Sequence, residues 1–447
     1  MKVCIIGAGL AGLSTAYHLE QLGIHNYELY ERDSRIGGLC KSDKVGGFTF
    51  DRTLHVIYVA DEYVRHLLTK LLGDNLLMHR RRAYVRFRDV IIPYPFQMFF
   101  SVLPYPDIVN DCVSGLVSAN REIAEPDTKS DGFEEWIYRT FGSGIAKYFM
   151  IPYNKKMWAC QLNQMSLEWV KKYIPKPNVA EIQNFMEGKK SSREYGYNAT
   201  FYYPRNGGIE NLPRAILNGL ERSRVLLNRE VESISLQNRT IKLSDGHENH
   251  WDTLVSTMPL PDLFSHIIDT PRMIEAEVDK LKWVSIYNLN LGVYGEAPDL
   301  HWIYFPGRYI FHRVGLPSNL SSSMAPDGMY SLSAEVSYSP TKQLPKNVES
   351  RIVRDLVKAR LLKDPTDINV KATFDLPCAY VVCDHQYFKT KEIIHSFLSR
   401  KRIFSVGRYG AWEYTSMQDS IIDGKEIAEK MACASKRVAN ENRGYGE

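Results

Sequence analysis

Gly7-Ala8-Gly9-Leu10-Ala11-Gly12 is the stretch that decides how this chain folds. Lys2-Val3-Cys4-Ile5-Ile6 comes before it, a short apolar run that reads as a buried strand. Leu13 to Leu22 comes after it, with apolar residues at helical spacing. A G-x-G-x-x-G loop between a strand and a helix is the setting dinucleotide binding requires. Gly7 makes the tight turn, Gly9 lets the backbone approach a pyrophosphate, and Gly12 lets helix and strand pack closely. The start of the helix adds free N–H groups and a positive dipole end.

Working outward, Tyr27-Glu28-Leu29-Tyr30 reads as the next strand and ends at Glu31, nineteen residues after Gly12. An acid at that distance meets a ribose hydroxyl. Arg35-Ile36-Gly37-Gly38-Leu39-Cys40-Lys41-Ser42 follows, and its glycine pair suggests a second close approach to an extended cofactor. This resembles the FAD signature of the glutathione-reductase-like flavoproteins more than an NAD site. The competing reading is an ordinary βαβ unit with glycine turns.

The 447 residues suffice for two or three domains. A net charge of +4 is too small to argue for nucleic acid or a membrane surface. The seven cysteines stand singly, with no C-x-x-C pair or zinc-type spacing, so no structural metal is expected. Their odd number and the lack of a leader-like segment favour a reducing, cytoplasmic setting. No run of eighteen apolar residues exists, so no transmembrane helix is expected.

Gly46-Gly47 with the alternating aromatics after it reads as a hairpin, and 62–73 as a helix. His55 lies in the apolar run Leu54-His55-Val56-Ile57, where a lone histidine is more often a satisfied core residue than a catalyst. Arg80-Arg81-Arg82 reads as a solvated face and Ala83–Phe87 as a strand. The prolines of Ile92-Pro93-Tyr94-Pro95-Phe96-Gln97 hold that segment extended, able to present Tyr94, Phe96 and Gln97 to a ligand or to pack an edge. From 105 to 195 the pattern turns helical. One helix starts at Phe133 and ends near Gly142, another runs from Ile145 to a stop at Pro152, and a third spans 163–175.

Residues 225–258 read as Rossmann-type strands that complete the first sheet: Val225–Leu227, a hairpin of Val231–Leu236 with Thr240–Leu243, and Thr253–Met258. A strand-rich insertion follows, with strands at Tyr287–Gly292, Trp302–Phe305, Tyr309–Arg313 and Tyr330–Val336. The last helix should run from Asp419 to Ala434, capped within Gln418-Asp419-Ser420, with a frayed polar end after Lys436.

Over nearly its whole length the chain resembles the UDP-galactopyranose mutase family, specifically its eukaryotic-type branch. Besides the FAD loop, the resemblance rests on His55-Val56-Ile57, Pro93-Tyr94-Pro95-Phe96-Gln97, Pro152-Tyr153-Asn154 and Trp158-Ala159. It continues in Asn198-Ala199-Thr200-Phe201, Leu254–Met258, Trp302 with Tyr304-Phe305-Pro306, and Gly407-Arg408-Tyr409-Gly410 with Trp412 and Tyr414. The implied fold is α/β: a Rossmann-like FAD-binding domain (1–82, 196–260 and 386–447), an inserted helical domain (105–195), and an antiparallel β-sheet substrate domain (83–104 and 261–385).

The implied activity is isomerisation. Reduced FAD attacks the anomeric carbon of a nucleotide-diphosphate sugar through N5, most simply a UDP-sugar, and the pyranose and furanose forms interconvert. NADPH or NADH would serve as reductant, at positions matching Arg81 and Tyr304. His55, in a mobile loop beside the flavin, and Arg313, on the diphosphate, would be the catalytic residues. Gly7, Gly9, Ala11, Gly12, Glu31, Arg32, Gly38, Leu39, Ser42, His55, Val231, Met258, Arg408, Gln418 and Ser420 would hold FAD. Tyr94, Phe96, Gln97, Asn154 and Trp158 would bind the uridine. Asn198, Trp302, Tyr304, Tyr380 and Tyr414 would surround the sugar and diphosphate. No nucleic-acid or membrane partner is implied, and a homo-oligomer is left open.

Three positions depart from the family pattern. Tyr173 stands where a second diphosphate arginine is usual, Thr53-Leu54 where a glycine pair precedes the histidine, and Leu320 where a tyrosine is usual. The altered histidine loop motivates one rival, an amine-oxidase-like oxidoreductase on the same fold. A second rival is a catalytically idle flavoprotein that binds a sugar nucleotide, which the surviving arginine and aromatic set argues against.

Overall fold

Strand Val3–Ile6 is buried at every residue and lies at the centre of a five-stranded parallel sheet. The order is Ile403–Ser405, Thr253–Ser256, Val3–Ile6, Tyr27–Glu31, Val225–Leu227. One sheet thus gathers strands from three distant stretches of sequence. The structure is a computed structural model, and it describes residues 1–121, 132–167, 169–170, 174–177, 179–187 and 198–443. Helix Leu10–Gln21 packs against the last helix, Met417–Arg443. A Cβ on Gly424 would stand 2.6 Å from Ser14 Cβ and from Thr15 N, so glycine there sets how near the two helices come.

A second, seven-stranded sheet runs in the order Ile368–Val381, Trp283–Tyr294, Met329–Tyr338, Arg313–Gly315, Trp302–Tyr304, Ala83–Phe87, Val90–Pro93. Its neighbours are antiparallel except Trp302–Tyr304 with Ala83–Phe87. The fold is therefore mixed α/β, as expected.

The hairpin Val231–Ser235 with Thr240–Leu243 does not join the parallel sheet. It forms a three-stranded antiparallel sheet with Glu248–His250. Val231, Ile234, Ile241 and Leu243 pack with Trp251, and only one face of such a sheet needs burial.

Several local expectations change. The backbone is helical over Phe96–Phe99, so the extended stretch ends at Pro95. Gly142 (φ +73) breaks the helix of Phe133–Ile145 as expected. Pro152 does not stop a helix; it lies just past the π-helical turn Ala146–Met150, and the helix runs on over Ile151–Trp158. Residues 163–167 contain no α-helix: Leu162–Gln164 is a single 3-10 turn and Met165 bridges Asp384. In the segment 309–313 strand pairing begins only at Arg313, because Tyr309 and Phe311 cluster with Phe305 instead. The last helix begins at Met417 and continues to Arg443, beyond the frayed end expected. Its cap is Ser416. The Asp419 N–H donates to Ser416 Oγ (3.3 Å) and the Ser416 N–H to Asp419 Oδ2 (2.8 Å).

Candidate active site

The glycine loop is built as its pattern requires. Gly7 has φ +96, and a Cβ on Gly12 would stand 2.0 Å from Gly7 O. Gly9 faces open space, with only Gly38 Cα within 4 Å of a would-be Cβ, at 3.9 Å. Gly38 has φ +58 and lies against Gly9. The two glycine turns therefore form one cradle without side chains. Glu31 ends its strand there. Its carboxylate accepts from Ala8 N at 2.7 Å and Asp33 N at 3.0 Å, and its remaining lone pairs can serve a ribose.

Other candidate cofactor residues are already engaged. Ser42 Oγ donates to Asp51 (2.6 Å) and accepts from Glu210 N (3.1 Å). Gln418 Oε1 accepts from Ala60 N (2.7 Å) and Asp61 N (2.8 Å), which fixes the segment after His55. Ser420 Oγ donates to Ser416 O at 3.3 Å. Val231 is in the core, Met258 N donates to Ser256 Oγ (3.3 Å), Leu39 is half-buried and Arg32 is exposed. Ala11 is covered by Gly407, whose Cβ would come within 2.6 Å of its own.

A transverse row of the seven-stranded sheet supplies the second half of the site. Asn288, Glu335, Arg313 and Tyr304 are register partners on four successive strands. In-register neighbours point to one face of a sheet. Arg313 Nε and Nη2 donate to both Glu335 oxygens at 2.8 to 3.2 Å. Nη1 is left without a partner among the described residues. Burial raises the Glu335 carboxyl, but Arg313 and His312 outweigh it and hold the group at about 2.

Aromatic rings enclose the guanidinium side of this row. Tyr94 and Tyr304 lie 4.8 Å apart between centroids, and Tyr153 stands 5.5 Å from Tyr304. Tyr380, Tyr414 and Trp158 form a triangle with sides of 5.6 to 5.9 Å. The Arg408 guanidinium sits 4.8 Å from the Tyr414 centroid and donates to Thr415 O at 2.6 Å. Burial pushes the Tyr94, Tyr153, Tyr380 and Tyr414 phenols upward, so they are neutral donors.

Trp158 Nε1, Trp302 Nε1 and Gln97 Oε1 are buried without a partner among the described residues. Such atoms carry a desolvation cost until a ligand or water reaches them. Asn154 instead donates to Met150 O at 2.8 Å, and Phe96 lies wholly in the core, stacked on Phe149. Arg81 is not on a solvated face: it donates to Asn198 Oδ1 (2.6 Å) and covers the Tyr94 ring. Tyr173 lies outside the described residues.

His55 stands between the two halves. Thr53 has φ +69, which is unusual for a β-branched residue and marks strain. The strained turn is clamped to the polar row. Thr53 N donates to Asn288 Oδ1 at 3.1 Å and Leu54 N to Glu335 Oε1 at 3.4 Å. Leu54 itself covers Gly315. His55 Nδ1 donates to Thr53 O at 3.3 Å, which leaves Nε2 as an acceptor. Burial pushes the imidazole down to about 4; the bond to Thr53 opposes this, and Arg408 and Arg313 reinforce it.

Glu335 and Asn288 were not among the residues singled out from sequence. The usable signal was a lone acid in the apolar strand Ser333-Ala334-Glu335-Val336, because a buried carboxylate requires a cation.

Known proteins share this fold or parts of this sequence to different degrees. A crystal structure of reduced UDP-galactopyranose mutase superposes with a TM-score of 0.91 at 30% identity, covering 96% of this chain and 93% of that one. Cyclohexylamine oxidase from Brevibacterium oxydans superposes with a TM-score of 0.68 at 15% identity, over 97% of this chain and 99% of that one, which speaks to fold alone. Protoporphyrinogen oxidase 2 of Arabidopsis thaliana is 23% identical over 302 residues, 58% of this chain and 57% of that protein's length. The family of flavin containing amine oxidoreductases matches residues 10–432. With nearly the whole chain matched, and a glycine cradle and acid-tipped strand that fit FAD, this protein belongs to the flavin containing amine oxidoreductase family.

Proposed function

We propose that this protein is a flavin-dependent mutase that interconverts pyranose and furanose forms of a nucleotide-diphosphate sugar, with a UDP-sugar as the first candidate. The observation that carries the reading is Arg313. Its pairing with Glu335 fixes the guanidinium plane, and the Tyr304 and Tyr380 phenols lie close enough to the guanidinium to interact with its charge. A fixed guanidinium fork suits a phosphate oxygen. The unpartnered Trp158 Nε1, Trp302 Nε1 and Gln97 Oε1 offer donors and an acceptor to the nucleoside and sugar. The similarity to a reduced UDP-galactopyranose mutase supports the same reading.

The Gly7–Gly12 loop, Gly38 and Glu31 would hold FAD, and the reduced flavin supplies the nucleophile for the anomeric carbon. This chain's residues orient the substrate and exclude water. Arg313 and the phenols of Tyr304, Tyr380 and Tyr414 hold the diphosphate so that it can leave and return. His55, neutral and bare at Nε2, can take a hydrogen bond from the cofactor side without adding charge. No side-chain nucleophile is required.

The test is anaerobic incubation of the dithionite-reduced protein with a panel of nucleotide sugars. Products isomeric with substrate sustain the mutase. Stoichiometric flavin turnover with a mass change of two hydrogens replaces it with an oxidoreductase, the reading the strained Thr53-Leu54 turn and the oxidases in the family favour.

A further inference from the structure

Glu335 makes three kinds of contact at once. Its carboxylate is fully buried. It receives the Arg313 fork, with His312 Nε2 at 3.4 Å and Leu54 N at 3.4 Å. Leu54 belongs to the strained turn that carries His55, and Thr53 in the same turn is held by Asn288 from the same row. Asn288 is itself fixed: its Nδ2 donates to Ser333 Oγ (3.0 Å) and Ala334 O (3.2 Å), and its Oδ1 also accepts from Asn290 (2.7 Å). The row is therefore rigid, and one oxygen of one carboxylate serves both the guanidinium and the turn.

We propose that Glu335 is a positioning residue that couples the charge on Arg313 to the setting of the Thr53–His55 turn. The proposal rests on the reading that Arg313 takes a diphosphate. A guanidinium that shares itself with phosphate gives less to Glu335. Carboxylate density is then released toward its other donors, the Leu54 N–H on the shared Oε1 and His312 Nε2 on Oε2, and the turn is held more tightly. Charge-assisted hydrogen bonds are about twice as strong as neutral ones, so even the long contact at Leu54 has room to shorten. Filling the diphosphate subsite would thus set His55 from across the sheet, with no contact between ligand and turn.

The experiment is amide hydrogen exchange of the segment 48–58 in the FAD-loaded protein, with and without UDP as probe, alongside calorimetric UDP binding. In the native protein UDP should slow exchange at Leu54 about fivefold, the effect of one strengthened hydrogen bond. Glu335→Gln removes the charge. Glu335→Asp keeps the ion pair but draws the carboxylate away from Leu54, and it serves if the glutamine variant fails to fold. Either variant should bind UDP more weakly, because Glu335 fixes the Arg313 plane, and at saturating UDP the turn should no longer respond. A merely structural Glu335 would change basal exchange across the whole sheet and leave the response to UDP intact, which would overturn the coupling. Native protein that binds UDP without any response at Leu54 also overturns it. Native protein that does not bind UDP at all overturns the diphosphate reading first, and the coupling with it.

Discussion

Replacing Arg313 by alanine should damage stability and binding separately, and the two effects can be measured apart. Glu335 is fully buried, and its carboxyl sits at about 2 in place of the ordinary 4.5. At roughly 1.4 kcal/mol per pKa unit, the net favourable environment of the ionised group contributes about 3 kcal/mol. Arg313→Ala removes its main source and strands the charge. Breaking a buried pair from one side costs roughly 3–5 kcal/mol, in line with that figure. The sign with pH follows. In the native protein the folded pKa is depressed, so this stability is present above the unfolded value and is lost as pH falls from 4.5 toward 2. In the variant the stranded carboxyl is raised, so the loss is greatest at neutral pH and shrinks on acidification as Glu335 takes up a proton. Urea denaturation of the flavin-loaded protein across pH checks this. Arg313→Met combined with Glu335→Leu should recover most of the stability, because an apolar pair can replace a buried ion pair. UDP affinity should remain low in both, by roughly 2–3 kcal/mol, or about 30- to 150-fold. A single variant as stable as native at neutral pH, or a double variant no more stable than the single, refutes the reasoning.

Gly12→Ala should give protein with little or no bound flavin by absorbance, because its Cβ would fall 2.0 Å from Gly7 O and the loop must open. Full flavin occupancy would contradict the cradle. His55 titrates near 4 when folded and 6.5 otherwise, so it lowers stability as pH falls through that interval. In His55→Asn that part of the acid sensitivity should vanish from the urea midpoints. Gln97→Leu should weaken UDP binding by about tenfold, by removing the unpartnered Oε1 acceptor, and leave flavin content unchanged. Thr53→Gly should relieve the left-handed strain and speed basal amide exchange at Leu54, since glycine occupies φ +69 without penalty; unchanged exchange would mean the clamp alone sets the turn.

The parallel sheet was legible because its signals are local: a buried strand, a glycine turn and an acid at the next strand end. The second sheet was less so. Ile368–Val381 was not anticipated although Ile368, Val370, Ala372, Phe374 and Leu376 alternate with polar residues. Pro377 interrupts that alternation, and the edge position explains its tolerance. Expectations failed most where one residue type has two uses. Pro152 can stop a helix or be carried within one, and Arg81 can face water or a tyrosine ring. The site residues named from sequence were those of a recognisable motif. Glu335 left one local trace, an acid in an apolar strand, but its pairing with Asn288, 47 positions away, is not visible in local pattern. The same holds for Ser42 and Gln418, whose partners lie 168 and 358 positions away.

The interleaved parallel sheet has a consequence for biosynthesis. The cradle for the cofactor phosphates is encoded long before its supports: its strand stands in the sheet beside Thr253–Ser256, and the helix behind it rests on Gly424. A nascent chain emerging from the ribosome can make the glycine turn early. It cannot bury the turn's supports until more than four hundred residues have been made. Contacts of such long sequence separation form late. Flavin capture should therefore be a post-translational event, and a chain stalled before the last helix should be a target for chaperones with an open first domain.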